Sequence, residues 1–123
     1  MTKNDVLYSK THEWIKVEGN HAKVGISSYA AMHLGDIVFF DLPSVGKTYQ
    51  KDDVFAAVES VKSASDLYLP VSGKIVKVND ALSTQPELVN LDPFTNWIVE
   101  IELSNLNEVQ SLLDITAYEN TLE

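Results

Sequence analysis

The stretch with the clearest capacity for chemistry is Glu59-Ser60-Val61-Lys62-Ser63-Ala64-Ser65-Asp66, a run of small and polar residues around one lysine. Apolar segments flank it: Val54-Phe55-Ala56-Ala57-Val58 before, Leu67-Tyr68-Leu69-Pro70-Val71 after. This pattern predicts a hairpin with Lys62 at its tip. A free lysine amine, with a pKa of roughly 10.4, is protonated at neutral pH and a poor nucleophile. A turn tip offers no desolvating pocket to change that, so an unmodified Lys62 is an ordinary exposed turn residue. Small Ser60, Ser63, Ala64 and Ser65 do leave room for an enzyme to grip the tip. Other constellations are weaker. His12, His21 and His33 have no metal-ligand spacing relative to one another or to acidic clusters, and read as surface or structural residues. No G-x-S-x-G elbow frames a serine nucleophile and no glycine-rich phosphate loop is present. Trp14, Trp97, Phe39 and Phe40 read as core.

The composition sets bounds on everything else. A chain of 123 residues with 45% hydrophobic residues is one domain, 1–123, able to bury a real core. Its mean hydropathy of −0.06 is that of a globular protein, and no apolar run has the length of a membrane span. The start, Met-Thr-Lys-Asn-Asp-Val-Leu-Tyr, carries no apolar signal region and no arginine-rich presequence, so the expected location is the cytoplasm of a bacterial-type cell. The net charge is −9, the nine cationic residues are all lysine, and cysteine is absent. Without a basic face or an arginine fork, nucleic-acid binding is excluded and phosphate handling disfavoured. Without cysteine there is neither a disulfide nor a thiolate.

The elements that must hold Lys62 follow from periodicity. Glu13–Glu18 and His21–Ile26 alternate on either side of Gly19-Asn20, which predicts a hairpin. Ser27-Ser28 followed by Tyr29–Leu34 and Gly35 predicts a short capped helix. Ile37–Phe40 reads as a strand closed by Asp41-Leu42-Pro43, and two or three further short strands follow up to Asn79. Trp97–Leu103 alternates again. Asn105 with Glu108 has the spacing of a capping box, and Leu106, Val109, Leu112 and Leu113 recur at helical intervals. A last helical stretch runs through Ile115, Tyr118 and Leu122. The expected architecture is mainly β in an α+β setting: a β-sandwich with a core hairpin region over about 37–80, short peripheral helices, and C-terminal helices over about 105–122. An internal echo, G-K-x-x-x-x-[DN]-D-apolar at Gly46–Val54 and again at Gly73–Ala81, fits two interlocked halves related by a pseudo-twofold.

The octet around Lys62 resembles the lipoylation motif of the glycine cleavage system H proteins. The resemblance extends to Thr11-His12-Glu13-Trp14, to Leu34–Pro43, to Tyr68–Ile75, and to Asn79–Leu82 with Pro86–Asn90, in order along nearly the whole chain. Two positions depart from the family pattern. Asn96 stands where a glycine usually precedes the late tryptophan, and asparagine's tolerance of positive φ can keep a turn there. Phe40-Asp41 replaces an aliphatic-Glu pair.

The resemblance implies a lipoyl/biotinyl-type sandwich (a barrel-sandwich hybrid) and a function without catalysis of its own. Lipoate would be bound as an amide to Lys62, within an attachment motif of Glu59, Ser60, Val61, Ser63 and Ala64. Such a cofactor carries the reactive chemistry while the protein supplies position and recognition. The implied partners are the pyridoxal-phosphate glycine decarboxylase (P protein), the tetrahydrofolate-dependent aminomethyltransferase (T protein), the dihydrolipoyl dehydrogenase (L protein), and a lipoate ligase or lipoyl/octanoyl transferase. The carrier would work as a monomer in glycine catabolism and one-carbon metabolism. By the same resemblance Glu13 and Asp66 would hold the ammonium of an aminomethyl-loaded arm in a cleft. Alternatives are an H-like relay that donates lipoyl groups to other enzymes, a biotin-type carrier, and a plain binding module with Lys62 unmodified. Biotin sites usually place methionines beside the lysine, and Val61 and Ser63 stand there instead.

Overall fold

The computed structural model describes residues 1–122 and contains two antiparallel sheets packed face to face. The strands are β1 (Leu7–Tyr8), β2 (Glu13–Glu18), β3 (His21–Ile26), β4 (Ile37–Asp41), β5 (Thr48–Tyr49), β6 (Val54–Ser60), β7 (Ala64–Tyr68), β8 (Gly73–Val78) and β9 (Val99–Leu103). They form a six-stranded sheet in the order β1-β2-β3-β9-β8-β5 and a three-stranded sheet in the order β4-β6-β7. The helices are short: α1 (Ser28–Leu34), α2 (Ala81–Thr84), α3 (Leu88–Leu91) and α4 (Ile115–Glu119).

The predicted Gly19-Asn20 hairpin is present, with Glu18 opposite His21 and Trp14 opposite Gly25. Alternation explains the burial. Ile15, Val24, Val99 and Ile101 point between the sheets and meet Phe40, Val58 and Leu67 from the smaller one. Trp14 points the other way, yet is fully buried, because Val6, Tyr8, Phe94 and Tyr118 cover the outside of the larger sheet at this end. Its ring lies over Gly25, and its Nε1 donates to the Pro93 carbonyl at 3.1 Å.

The echoed segments pair with each other. Thr48 faces Lys74 and Tyr49 faces Gly73, antiparallel, while Gly46 N donates to the Ile75 carbonyl and Ile75 N to that of Lys47, at 2.7 and 2.8 Å. Antiparallel pairing of two like segments is what a local twofold produces. The copies diverge after the shared acid, one entering β6 and the other α2.

Several expectations need correction. Four strands, not two or three, lie between β4 and Asn79. The loop after β8 contains α2 and α3. Residues 106–111 form a 3₁₀ helix with no buried residue, and there is no capping box. Asn105 accepts from Asn107 N, while the Glu108 carboxylate accepts from Ser72 N and Oγ at 2.7 and 3.0 Å. That cross-link to a distant loop outcompetes the local cap. Phe39 is half exposed, because a bulge between Ile37 and Phe39 turns both Val38 and Phe39 outward. Trp97 is only partly buried and precedes β9, which starts at Val99. Asn96 does not adopt positive φ. Its side-chain amide donates to the Leu88 and Asp92 carbonyls at 2.9 and 3.0 Å, holding the end of α3 instead.

The packing of Trp14 yields a test. A Cβ on Gly25 would fall 2.6 Å from Trp14 Cε2 and Cζ2, too close without moving an indole enclosed on all sides. Gly25→Ala is expected to cost about 1–3 kcal/mol, the usual range for overpacking a core. It should lower the urea midpoint with an unchanged slope.

Candidate functional site

Lys62 stands on the turn between β6 and β7, exposed, outside any helix. Its ammonium has neither an ion pair nor a hydrogen bond among the described residues. Ser60 closes the turn. Its N–H donates to the Ser63 carbonyl at 2.7 Å, and its Oγ accepts from Lys62 N and Ser63 N at 3.3 and 3.1 Å. Ser60 is accordingly buried, a clasp and not only a small residue that makes room. Val61 and Ser63 flank Lys62 in the open, and Glu59 pairs with Ala64 at the base of the turn, both exposed.

The turn is also held from outside the hairpin. Val61 N donates to the Asp36 carbonyl at 3.0 Å. The Gly35-Asp36-Ile37 bend is itself fixed by Asn90, whose Oδ1 accepts from Ile37 N at 2.9 Å and whose Nδ2 donates to the Gly35 carbonyl at 2.7 Å. Gly35 ends α1 at φ +76, and a Cβ there would sit 3.3 Å from Lys62 Cε. Only glycine adopts this conformation freely, and only glycine leaves that surface open to the lysine stem. Sequence reasoning did not assign these roles to Gly35, Asp36 and Asn90. The glycine after a capped helix was the available signal; the Asn90 contact spans 55 residues and has no local signature.

A cavity of about 550 Å³ opens beside the hairpin. Its walls come from Lys10–His12, from Ile26 and α1, and from Ser63 with residues 65–68 of the return strand. His12, Tyr29 and His33 stack along one side, with ring centroids 4.9 and 4.1 Å apart. Burial, with His33 nearby, lowers the pKa of His12 and so favours its neutral ring. Tyr118 supports it: its hydroxyl lies 2.7 Å from His12 Nδ1 and 2.8 Å from Ser27 Oγ, the cap of α1. Two of the three histidines thus belong to the cavity wall, while His21 pairs with Glu100 across the larger sheet at 3.6 Å.

The two acids expected to act together occupy different places. Asp66 is exposed and lines the cavity. Glu13 is only 1% exposed and lies behind the wall. Ser9 Oγ donates to it at 2.7 Å, Thr11 Oγ1 donates to the same oxygen, and Tyr68 N donates to the other at 3.0 Å. Burial raises its pKa above the ordinary 4.5 despite these bonds.

The observations converge on one family. The family model for the glycine cleavage H-protein matches residues 6–123. This chain belongs to that family. The glycine cleavage system H protein of Bacillus cereus (strain AH187) is 52% identical over 116 residues, covering 94% of this chain and 91% of the relative. That of Bacillus mycoides (strain KBAB4) is 53% identical over the same length and shares. The crystal structure of a glycine cleavage system H protein from Mycobacterium marinum superposes with a TM-score of 0.87 at 36% identity, covering 95% of each chain. The family is a carrier component of the glycine cleavage system, with no catalytic activity of its own. No helix among the described residues is long and apolar enough to cross a membrane.

The raised pKa of Glu13 gives a signed prediction. The folded protein binds the Glu13 proton more tightly than the unfolded chain does, so its contribution becomes less favourable as pH rises from 4.5 through the raised folded value. The stability of wild type relative to Glu13→Gln should therefore increase as pH falls from neutral through that window. Paired urea titrations between pH 4.5 and 7.5 measure the difference; a difference independent of pH would contradict the assignment.

Proposed function

We propose that this chain is a lipoyl-lysine carrier of glycine cleavage, with lipoate joined as an amide to Lys62. The observation that carries this reading is an exposed, unpaired lysine on a turn clasped from both sides, next to a cavity large enough for an acyl arm. The residues present fit the group. Glu59, Ser60, Val61, Ser63 and Ala64 form a tip an acylating enzyme can hold, and the lysine stem runs over Gly35 without obstruction. Lipoate, when bound, supplies a disulfide on a long tether, able to carry the aminomethyl group of glycine from the pyridoxal-phosphate decarboxylase to the tetrahydrofolate-dependent aminomethyltransferase.

The protein's own part is positional. A tether raises the effective concentration of its end at each docked enzyme, including the dihydrolipoyl dehydrogenase that regenerates the disulfide. Leu34, Leu67 and Ile26 give the cavity apolar walls that exclude water. Asp66 presents a carboxylate on the wall to an arm-borne ammonium. Glu13 acts with it by fixing Thr11 and Tyr68, the two wall residues that its carboxylate binds. The carrier is a cytoplasmic monomer, acylated by a lipoate ligase or a lipoyl/octanoyl transferase.

Intact mass and peptide mapping of protein from its native cell test the attachment. Lipoate is expected on Lys62 alone; finding it on Lys47 or Lys74, in the echoed turns, would refute the assignment. Lys62→Arg should abolish carrier activity while changing stability by no more than about 0.5 kcal/mol, as for most exposed substitutions.

The acids are tested by ammonia and formaldehyde release from aminomethyl-loaded protein with no acceptor enzyme present. A charge-assisted hydrogen bond is worth roughly 1.5–3 kcal/mol, so Asp66→Asn combined with Glu13→Gln should speed release about tenfold to a hundredfold. The double variant should still be lipoylated to completion on Lys62. Release at the wild-type rate would leave protection to the apolar walls alone.

A further inference from the structure

No described residue covers the outward face of the three-stranded sheet, and its residues form an ordered pattern. Phe39, Glu59 and Ala64 stand side by side across β4, β6 and β7, and Asp41, Ala57 and Asp66 form the next row on the same face. All six are exposed except Ala57, which is half-buried. Phe39 is 51% exposed in the row nearest the Lys62 turn, and Val61, at the turn itself, is 70% exposed. A burial pattern that kept strict alternation would have hidden one of Val38 and Phe39; the bulge before Phe39 shows both. An aromatic ring held in water among carboxylates is the type of residue that anchors protein interfaces.

The strand cations are confined to the larger sheet, which also carries glutamates, and the smaller sheet is acidic alone. β4, β6 and β7 carry Asp41, Glu59 and Asp66 and no cation, while all the strand lysines (Lys16, Lys23, Lys74 and Lys77) are on the larger sheet. Asp36 adds a further exposed acid at the bend touching Val61. The cations near this face are Lys62 itself and Lys47, which lines the hollow at the end beyond Asp41 and Asp66.

We propose that this face docks the enzyme that acylates Lys62. Its complementary surface has an apolar hollow for the Phe39 ring, rimmed by lysine or arginine side chains that meet Asp36, Asp41 and Glu59. The inference rests on Lys62 being the acylated residue. Binding through this face places the partner beside the turn, with the lysine stem already directed across Gly35. The opposed charges steer encounter and fix orientation, so the docking weakens as salt screens them.

The test measures initial rates of acylation of the full-length unmodified protein by a purified lipoate ligase with lipoate and ATP, read by intact mass. Phe39→Ser should raise the KM for the carrier about tenfold with kcat little changed, since the ring contributes to docking and not to acyl transfer. Asp41→Asn, an exposed change that leaves packing intact, should raise KM several-fold and flatten its dependence on salt between 50 and 300 mM, roughly the range over which screening grows. Lys74→Gln, on the opposite sheet, should match wild type. Circular dichroism and urea midpoints establish that each variant is folded. Wild-type KM and salt dependence in Phe39→Ser and Asp41→Asn would overturn the docking face while leaving the carrier reading intact. A wild-type chain that gains no acyl group on Lys62 would overturn the carrier reading itself. Concentration-dependent dimerisation of wild type that Phe39→Ser abolishes would assign the face to a second copy and also overturn the proposal.

Discussion

A lysine proposed as the root of a long arm is useful only if it stays in one place, and here a backbone hydrogen bond from the turn itself adds to the ladder that holds its hairpin. Val61 N to the Asp36 carbonyl ties the Lys62 turn to the end of α1. An isolated hairpin tip frays easily because it buries little surface. This one is bonded within itself through Ser60 and across to another segment through Asp36. The second bond makes Gly35 and Asn90 as necessary to the geometry as the lysine's sequence neighbours. α1, α3 and the core that seats them exist, from the viewpoint of the site, to keep that carbonyl in position.

The cavity beside the turn is organised by polar groups with few alternatives. Glu13 gathers Ser9, Thr11 and the Tyr68 amide around one buried carboxylate, joining the loop before β2 to the strand after Lys62. Without those donors an ionised carboxylate at that depth would be prohibitively desolvated. The opposite wall is aromatic. Tyr118 stacks on Tyr8 at 4.2 Å and its hydroxyl reaches both His12 and Ser27, so the C-terminal helix, the first strand, the cavity loop and the cap of α1 meet at one side chain. The tyrosine's own pKa rises with burial, which keeps that hydroxyl neutral throughout the physiological range.

Local signals carried the sequence reading as far as local physics determines structure. Gly19-Asn20 between alternating runs, Ser27 and Gly35 around α1, and the small residues about Lys62 each have a short-range cause, and each element formed where expected. Where a distant partner decides, the reading went astray. Glu108 had a cap within reach and bonded Ser72 instead, so a predicted helix became a 3₁₀ turn. Phe39 looked like core because alternation assumes an unbroken ladder, and a bulge is not visible in residue types. Nothing beside Glu13 in the sequence shows that the fold brings the Tyr68 amide to its carboxylate. Asn90 and Asp36 belong to the site only through contacts with segments distant in the chain. Lys62 and the turn that bears it were legible because the octet around the lysine is contiguous.

Residues near the two ends of the described chain lie together. Lys3 Nζ is 3.3 Å from Glu119, and the Lys3 carbonyl accepts from the Tyr8 hydroxyl that stacks under Tyr118. A short flexible linker between them would close the polypeptide into a ring with little loss of loop entropy. The Gly19-Asn20 turn, exposed at the end of β2 away from the Trp14 and Ile15 positions that pair with β1, is then the natural place to reopen it. A circular permutant cut there retains every residue of the lysine turn and its cavity, with Lys10, Thr11 and His12 moved to the far side of the linker. The order of the chain is thus separable from the arrangement of the site.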